Sequence, residues 1–586
     1  NNTGRKIIKW THFNASLIQN KLTLEPLKPE NNHKENIKIL ERNTITLQEH
    51  IQHAIQKAEI TIPYETPNHL SLPYIIREQI KYRNRLKRQA RLTGDPRINT
   101  EANRCTNEIK KQIKEHKNKC WIEKLNAINA ENQPSTLWKM AKSLTKSTKT
   151  DIPALHSNQG LVYTDEEKAE AFADTFEKQF TQNTEQTDDI NRERRIEKTA
   201  KQITTQTPHE HIQATNAQEI TALIKNTKTK KAPGHDQITN KALKRLPPNS
   251  IANLTLIINQ ILTLFHFPST WKKSIVIPID KPNKDKKFPQ NWRPISLISS
   301  TAKIAEKIIL NRLNDHILTN NLLPNEQFGF RASHSTEQQL ARLTDNIVTG
   351  LKQKKTTILA FLDIQKAFDK VWHAGLIFKL QKIHNLPLTL TKLIKSYLTN
   401  RIFITRVNNS YSKPRLMEAG VPQGSALAPT LYNLYVADVP KIPGASLAMF
   451  ADDTCTFTTY RNPKRAQKII QNQLNKLSEY CEKWKIKINP EKTQTIIVKQ
   501  NRKPDPPQLT LNNTEIPYSK EVTYLGIQID NKLTWKKHTQ NQTQKALQLY
   551  GKLSCLLNKN SNLSLQRKLT IYKQIIRPLL LYGCVT

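Results

Sequence analysis

Two short apolar runs that end in aspartate constrain this chain more than any other feature. The first, Thr357-Ile358-Leu359-Ala360-Phe361-Leu362-Asp363, is a buried-strand pattern closed by a carboxylate. Ala367-Phe368-Asp369-Lys370-Val371 then leads into a helical stretch. The second run, Leu447 to Phe457, has apolar residues on both sides of Asp452-Asp453 and predicts a β-hairpin with the aspartates at its tip. Alone, an Asp-Asp pair after an apolar run is usually a turn. A strand-end aspartate facing such a hairpin is different, because crowded carboxylates repel one another and stay ionised only beside cations. Two divalent ions about 3.5 to 4 Å apart suit nucleotidyl transfer, since they stabilise both the attacking and the leaving oxygen. Mg2+ prefers such oxygen ligands, and Mn2+ is the alternative.

The surroundings of these runs predict an α/β body from about 250 to 530. Short β-branched runs (Ser274–Ile279, Thr357–Leu362, Thr495–Val498) alternate with helical patterns (Ala302–Leu313, Leu427–Ala437, Pro463–Trp484). Upstream, residues 1 to about 70 give no strong periodicity and read as a linker. Residues 71–150 are basic: from Arg77 to Lys124 there are 15 Lys or Arg against 6 Asp or Glu. Two helices broken at Gly94-Asp95-Pro96 are expected there, as a nucleic-acid-binding region. Residues 151–250 are expected to hold a linker, Gln179 to Thr207, then a helix over about Ala217–Asn226 and the turn Lys231-Ala232-Pro233-Gly234-His235-Asp236. The stretch 531–586 is helical and rich in Leu and Lys.

Charge agrees with a polyanionic partner: 91 Lys and Arg outweigh 49 Asp and Glu, a net +42. An AT-rich gene would also raise Lys, Asn and Ile, but it would not cluster the lysines. The six cysteines show no zinc spacing and no paired pattern, which fits a reducing compartment. No run is long and apolar enough to cross a bilayer, so no membrane partner is expected. Both ends, Asn1 and Tyr582-Gly583-Cys584-Val585-Thr586, read as cut points of a longer chain.

Taken in order, the motifs resemble the reverse transcriptases of non-long-terminal-repeat (LINE-type, jockey-like) retrotransposons. Lys231 to Asp236 is similar to the family's N-terminal motif. Lys281-Pro282, Asn291-Trp292-Arg293-Pro294-Ile295-Ser296-Leu297, Lys303, Glu306 and Arg312-Leu313 match its fingers motif. Gln327-Phe328-Gly329-Phe330-Arg331 with Ser335-Thr336 matches the next, and Asp363 to Asp369 the first palm motif. Gly420-Val421-Pro422-Gln423-Gly424-Ser425 with Pro429, Tyr432 and Asn433 is the second, and Phe450-Ala451-Asp452-Asp453 resembles the catalytic box. Trp484, Ile488-Asn489 and Lys492-Thr493 precede Tyr524-Leu525-Gly526, the primer-grip segment.

The resemblance implies a right-hand polymerase with fingers and an α+β palm over 251–530 and a thumb over 531–586. It implies copying of the element's RNA into DNA at a nicked target, with RNA template, DNA primer or target and dNTPs as partners. It also implies an endonuclease preceding Asn1, and a ribonucleoprotein of nucleus and cytoplasm. Asp363, Asp452 and Asp453 are the expected catalytic and metal residues, and Ile364 is counted with them at the metal. Arg293 suits the triphosphate, because a guanidinium grips phosphate oxygens in pairs. Lys281 or Lys284 would share that duty, and Lys492 would protonate leaving pyrophosphate. Phe368 would pack beneath the sugar and exclude a 2′-hydroxyl. Gln423 and Gly424 would brace the nascent pair, Arg331 would touch the template backbone, and Leu525-Gly526 the primer. The rivals are an RNA-directed RNA polymerase, which usually carries Gly where Ala451 stands, and a binding protein that has lost catalysis.

Overall fold

The computed structural model describes residues 4–30, 32–63, 72–130, 135–146, 151–158, 160–183, 189–208, 210–499 and 506–584. The chain forms two compact units: 1–6, 61–150 and 536–584 in one, and 7–60, 151–535 and 585–586 in the other. Among the described residues no helix is long and apolar enough to cross a membrane.

The larger unit is built on two sheets. In one, four antiparallel strands run in the order Ser446–Phe450, Asp453–Tyr460, Thr356–Leu362 and Gln494–Val498. Thr356–Leu362 is buried at every position, which its near-continuous apolar sequence requires. Strands flank it on both sides, and the Thr336–Lys352 and Pro463–Lys483 helices pack against it. This is the palm, and all three apolar runs expected here as strands are strands.

The second sheet, the fingers, runs Arg415–Met417, Arg401–Val407, Lys273–Asp280, Trp292–Ile298. Its face is covered by the Asp165–Gln179 helix, whose Phe172 and Phe176 pack with Trp292, Phe403 and Phe180. The helix starts on a capping box, Thr164 with Glu167.

Two stretches read as linkers are structured. Within residues 1–70, His33–Ala58 is a 26-residue helix, capped by the Asn32–Glu35 box and packed on the Pro248–Leu264 helix. Its buried stripe includes Asn43 and Thr44, and these polar residues hid the apolar period. They are satisfied inside: Asn43 Nδ2 donates to Gln260 Oε1 at 3.1 Å, and Thr44 Oγ1 to Leu40 O at 2.8 Å. Within Gln179–Thr207, Ile190–Thr205 is a helix against His373–Lys382 and Leu388–Leu398. Among its described side chains it buries only Ile196, Ala200 and Ile203, too few apolar residues to stand out of a polar stretch. Residues 184–188 of that expected linker, and Val585-Thr586, lie outside the described residues.

In the smaller unit the two basic helices are Tyr74–Thr93 and Pro96–Ala130. Gly94 caps the first in the left-handed region at φ 67°, and Pro96 opens the second. They lie antiparallel, with Tyr82 Oη donating to Glu101 Oε1 at 3.0 Å. Leu125, Ile128, Leu137 and Ala141 share a core with Leu553, Leu556, Leu563 and Ile571. The basic segment and the C-terminal helices, expected as separate regions, thus have one core between them.

Candidate active site

The palm register builds the site. Thr454 pairs with Leu362, and carrying that antiparallel register one residue further sets Asp453 across from Asp363. Phe450 pairs with Asp453, so Ala451-Asp452 is the two-residue hairpin loop. Ala451 adopts φ 57°, a left-handed conformation that costs a residue with a Cβ about 1 to 2 kcal/mol. A brace offsets it. Gln327 Oε1 accepts from Ala451 N–H at 2.9 Å and from Gly329 N–H at 2.8 Å. Phe328 N–H donates to Met449 O at 2.9 Å, and Met449 N–H to Glu326 O at 3.0 Å. Gly329 is obligatory here, since a Cβ would collide with the main-chain nitrogen of Ala451 and lie 2.8 Å from the carbonyl carbon of Phe450.

Charge is concentrated at this corner. Asp453 is exposed at its strand end, yet partial desolvation of its carboxyl, then Asp452 and Asp363, push it up to about 6. Burial likewise raises Asp452, with Asp363 adding to the shift and the Arg293 guanidinium opposing it. Lys492 Nζ lies 3.5 Å from Asp363 Oδ2. Among the described residues no three His, Cys, Asp or Glu side chains are gathered closely enough to hold an ion as they stand. The donor chemistry nevertheless fits a divalent cation: three mutually repelling carboxylates share one strand-end corner, and a bound cation relieves that repulsion. Ile364 can ligate only through its carbonyl. Asn489 N–H donates to Asp363 O and Gln365 N–H to Lys487 O, at 2.9 and 2.8 Å, so the Ile364–Ile488 bridge turns the Ile364 carbonyl away from that segment.

Arg293 is exposed on its strand and makes no ion pair among the described residues. Lys281 donates to Gln290 O at 3.0 Å. Burial lowers its pKa, and Lys366, Arg293 and Lys492 push it the same way. The structure therefore gathers Asp363, Asp452, Asp453, Arg293, Lys281 and Lys492, and adds Lys366. Of the two lysines weighed for the triphosphate, Lys281 is the one beside Arg293; Lys284 is exposed. Phe368 is half-buried, stacked on Tyr432 at 4.8 Å and edge-on to Phe330 at 6.0 Å.

Three placements carry contacts that the sequence did not show. The Gln423 amide turns to the palm: Nε2 donates to both carboxylate oxygens of Asp369, at 2.8 and 3.0 Å. Gln179 Nε2 donates to the same carboxylate at 2.5 Å. Gly424, at φ 115°, spends its freedom against the fingers strand, where a Cβ would lie 2.7 Å from Ser296 O. Arg331 donates to Pro324 O at 3.1 Å and so closes its own loop. Leu525 and Gly526, at φ 47° and 82°, form the two-residue turn between Glu521–Tyr524 and Ile527–Asp530. That hairpin is anchored by Tyr524 Oη donating to Ala448 O at 3.0 Å.

Sequence reasoning missed the Gln327 brace, although the residue stood in a quoted motif, because its two acceptor contacts depend on tertiary structure. It missed Gln179 because that residue lay in a presumed linker. It gave Tyr432 no role, yet its buried hydroxyl has no hydrogen-bond partner among the described residues and feels Asp452 and Asp453.

Residues 279–529 match the family model described as reverse transcriptase (RNA-dependent DNA polymerase). The chain is 35% identical over 522 residues to the probable RNA-directed DNA polymerase from transposon BS of Drosophila melanogaster, covering 86% of this chain and 56% of that protein. It is 34% identical to the probable RNA-directed DNA polymerase from transposon X-element of the same fly, with 88% and 57% covered. To the RNA-directed DNA polymerase from mobile element jockey it is 32% identical, with 88% and 56% covered. The chain thus spans a little over half the length of these relatives. With the palm corner and this similarity together, residues 279–529 form a reverse transcriptase domain, similar to those of the mobile-element polymerases named above.

Proposed function

We propose that this chain is an RNA-directed DNA polymerase that extends a primer by two-metal nucleotidyl transfer on an RNA template. The observation that carries the reading is the register that sets Asp363 beside the Asp452-Asp453 turn. Divalent cations, Mg2+ by preference, would be held by Asp363, Asp452, Asp453 and the Ile364 carbonyl, and would supply charge stabilisation to the attacking and leaving oxygens. In the reaction the primer 3′ oxygen bonds to the α-phosphorus, its proton is lost, and the bond to pyrophosphate breaks. Arg293 and Lys281 hold the triphosphate oxygens, and Lys492 gives a proton to the departing pyrophosphate. Phe368 bears on the sugar. The Asp369 carboxylate, held by Gln179 and Gln423, keeps the turn beneath the nucleotide in place.

The names of the relatives support this reading, as does the basic pair Tyr74–Thr93 and Pro96–Ala130, which suits phosphate contacts. Target priming at a nick, and a ribonucleoprotein shared between nucleus and cytoplasm, belong to the same proposal. The test is primer extension on an RNA template with Mg2+, comparing wild type with Asp363→Asn and Asp452→Asn. Each variant should lose about a thousandfold or more of the rate while RNA binding is retained. Extension by either variant at near wild-type rate removes the catalytic assignment.

A further inference from the structure

Glu306 is wholly buried, at 0% exposure, and the chemistry proposed above does not use it. It lies on the Ser300–Thr319 helix, which follows the fingers strand carrying Arg293. A buried carboxylate is costly unless donors meet it, and Glu306 has two. Oε2 accepts from Ala426 N–H at 2.7 Å, and Oε1 from Tyr397 Oη at 3.1 Å. Burial pushes the carboxyl up, while Ala426 N–H, Arg401, Lys303 and the Tyr397 hydroxyl oppose that shift. Arg401 in turn donates to Tyr397 O at 3.0 Å.

Ala426 joins the Gln423-Gly424-Ser425 turn to the Ala428–Tyr435 helix. Ser425 Oγ accepts from Leu427 and Ala428 N–H, at 3.1 and 2.9 Å, which leaves the Ala426 amide to Glu306. Buried carboxylates thus pin the turn at both ends: Asp369 takes the Gln423 side chain, and Glu306 the Ala426 main chain. Between them Ser296 N–H donates to Gln423 O at 2.8 Å. The helix beyond carries this anchorage into the site. Its Tyr432 stacks on Phe368 at 4.8 Å, and its Asn433 Nδ2 donates to Gly329 O at 2.8 Å. A hydrogen bond to an ionised carboxylate is stronger than a neutral one, and packed interiors pass small shifts on to their neighbours. Releasing Ala426 would therefore loosen the turn, the support of the Phe368 ring and the Gly329 brace together.

We propose that Glu306 is a positioning residue for the incoming nucleotide, acting through the Ala426 N–H on the Gln423-Gly424-Ser425 turn and the Tyr432 stack, a role that rests on the chain being the primer-extending polymerase proposed above.

The test is steady-state primer extension on an RNA template by the full chain and its variants, with dNTP titrated. Glu306→Gln keeps an acceptor oxygen at the same reach, and the Tyr397 hydroxyl can accept from its amide, so the dNTP KM should stay within about threefold of wild type. Glu306→Asp keeps the charge but draws its oxygens back from Ala426. It should raise KM about tenfold while kcat changes by less than about threefold. Glu306→Leu should do the same, and Tyr397→Phe, which removes only the other donor, should leave KM unchanged. A purely electrostatic role predicts the reverse order, with Glu306→Asp tolerated and Glu306→Gln impaired. Thermal melts check each fold; if Glu306→Leu fails to fold, Glu306→Asp decides. An unchanged KM in Glu306→Asp, or an equal rise in Glu306→Gln or Tyr397→Phe, overturns the positioning role while leaving the polymerase reading intact. No extension by wild type overturns that reading itself, and this role with it.

Discussion

Asp453 and Asp369 both have carboxyl groups pushed up to about 6, yet their surroundings have little in common. Asp453 faces the cleft at a hairpin tip, beside two other carboxylates. Asp369 is sealed in the palm at 2% exposure and receives amide hydrogens from Gln179 and Gln423. For Asp369 burial is the leading cause, and the amides and the lysines Lys366 and Lys281 work against it. One shift includes repulsion that a cation can relieve; the other is mostly the desolvation of a structural anion. A raised pKa therefore marks a metal-binding corner only when like charges share in it.

The largest expected effect breaks the corner itself. Gly329→Ala forces a Cβ against the Ala451 nitrogen and should displace the Asp-Asp turn. We expect kcat/KM for primer extension to fall about a hundredfold, with Asp369 and its amides undisturbed. Wild-type activity in that variant would mean the turn does not need its brace.

Next comes the sugar. Phe368→Val should raise ribonucleotide incorporation relative to deoxynucleotide by about tenfold or more if the ring excludes a 2′-hydroxyl. Matched kcat/KM values and a thermal melt decide it. An unchanged ratio with a stability loss of about 1 to 3 kcal/mol would make Phe368 a packing residue, held by Tyr432.

The third expectation concerns Asp369. Its folded pKa lies above the unfolded value, so its stabilising contribution is fully present below about pH 4 and is lost as pH rises through about 6. The difference amounts to roughly 2 to 3 kcal/mol. Asp369→Asn should remove that pH-dependent part, so the stability gap between wild type and variant should change between pH 4 and pH 7 in denaturant melts. A gap constant across that range would place the Asp369 pKa near that of an ordinary carboxyl.

The smallest effect separates the two aspartates most directly. Protons and cations compete at Asp453, so the acid limb of the extension rate, near pH 6, should move down by about half a pH unit or more as Mg2+ is raised tenfold. The pH-dependent stability assigned to Asp369 should not move. An acid limb fixed across Mg2+ concentrations would detach Asp453 from the metal.

The palm was legible because its information is local. Thr357–Leu362 is apolar throughout, and the Asp452-Asp453 pair sits between two apolar runs, so strand, turn and carboxylate all read from neighbours in sequence. Arg293 was singled out by its motif and its guanidinium alone, and the strand that leaves it exposed was not read from the sequence. The partners of Asp369 were not legible, because Gln423 and Gln179 reach its carboxylate across 54 and 190 residues of chain. The His33–Ala58 helix was hidden by buried polar residues, and Ile190–Thr205 by its small number of apolar anchors.

The brace along Ser446–Phe450 has a consequence for how this chain is made. That strand is the outermost of its sheet and apolar, the kind of edge that recruits other chains. Glu326–Phe328 pairs along it, Gln339 Nε2 donates to Met449 O at 3.0 Å, and Arg342 donates to Leu447 O at 2.8 Å. All of these residues leave the ribosome about a hundred residues before the strand does. The cover for this sticky edge is therefore waiting when the edge emerges, and a nascent palm has that means of avoiding pairing with its neighbours on a polysome.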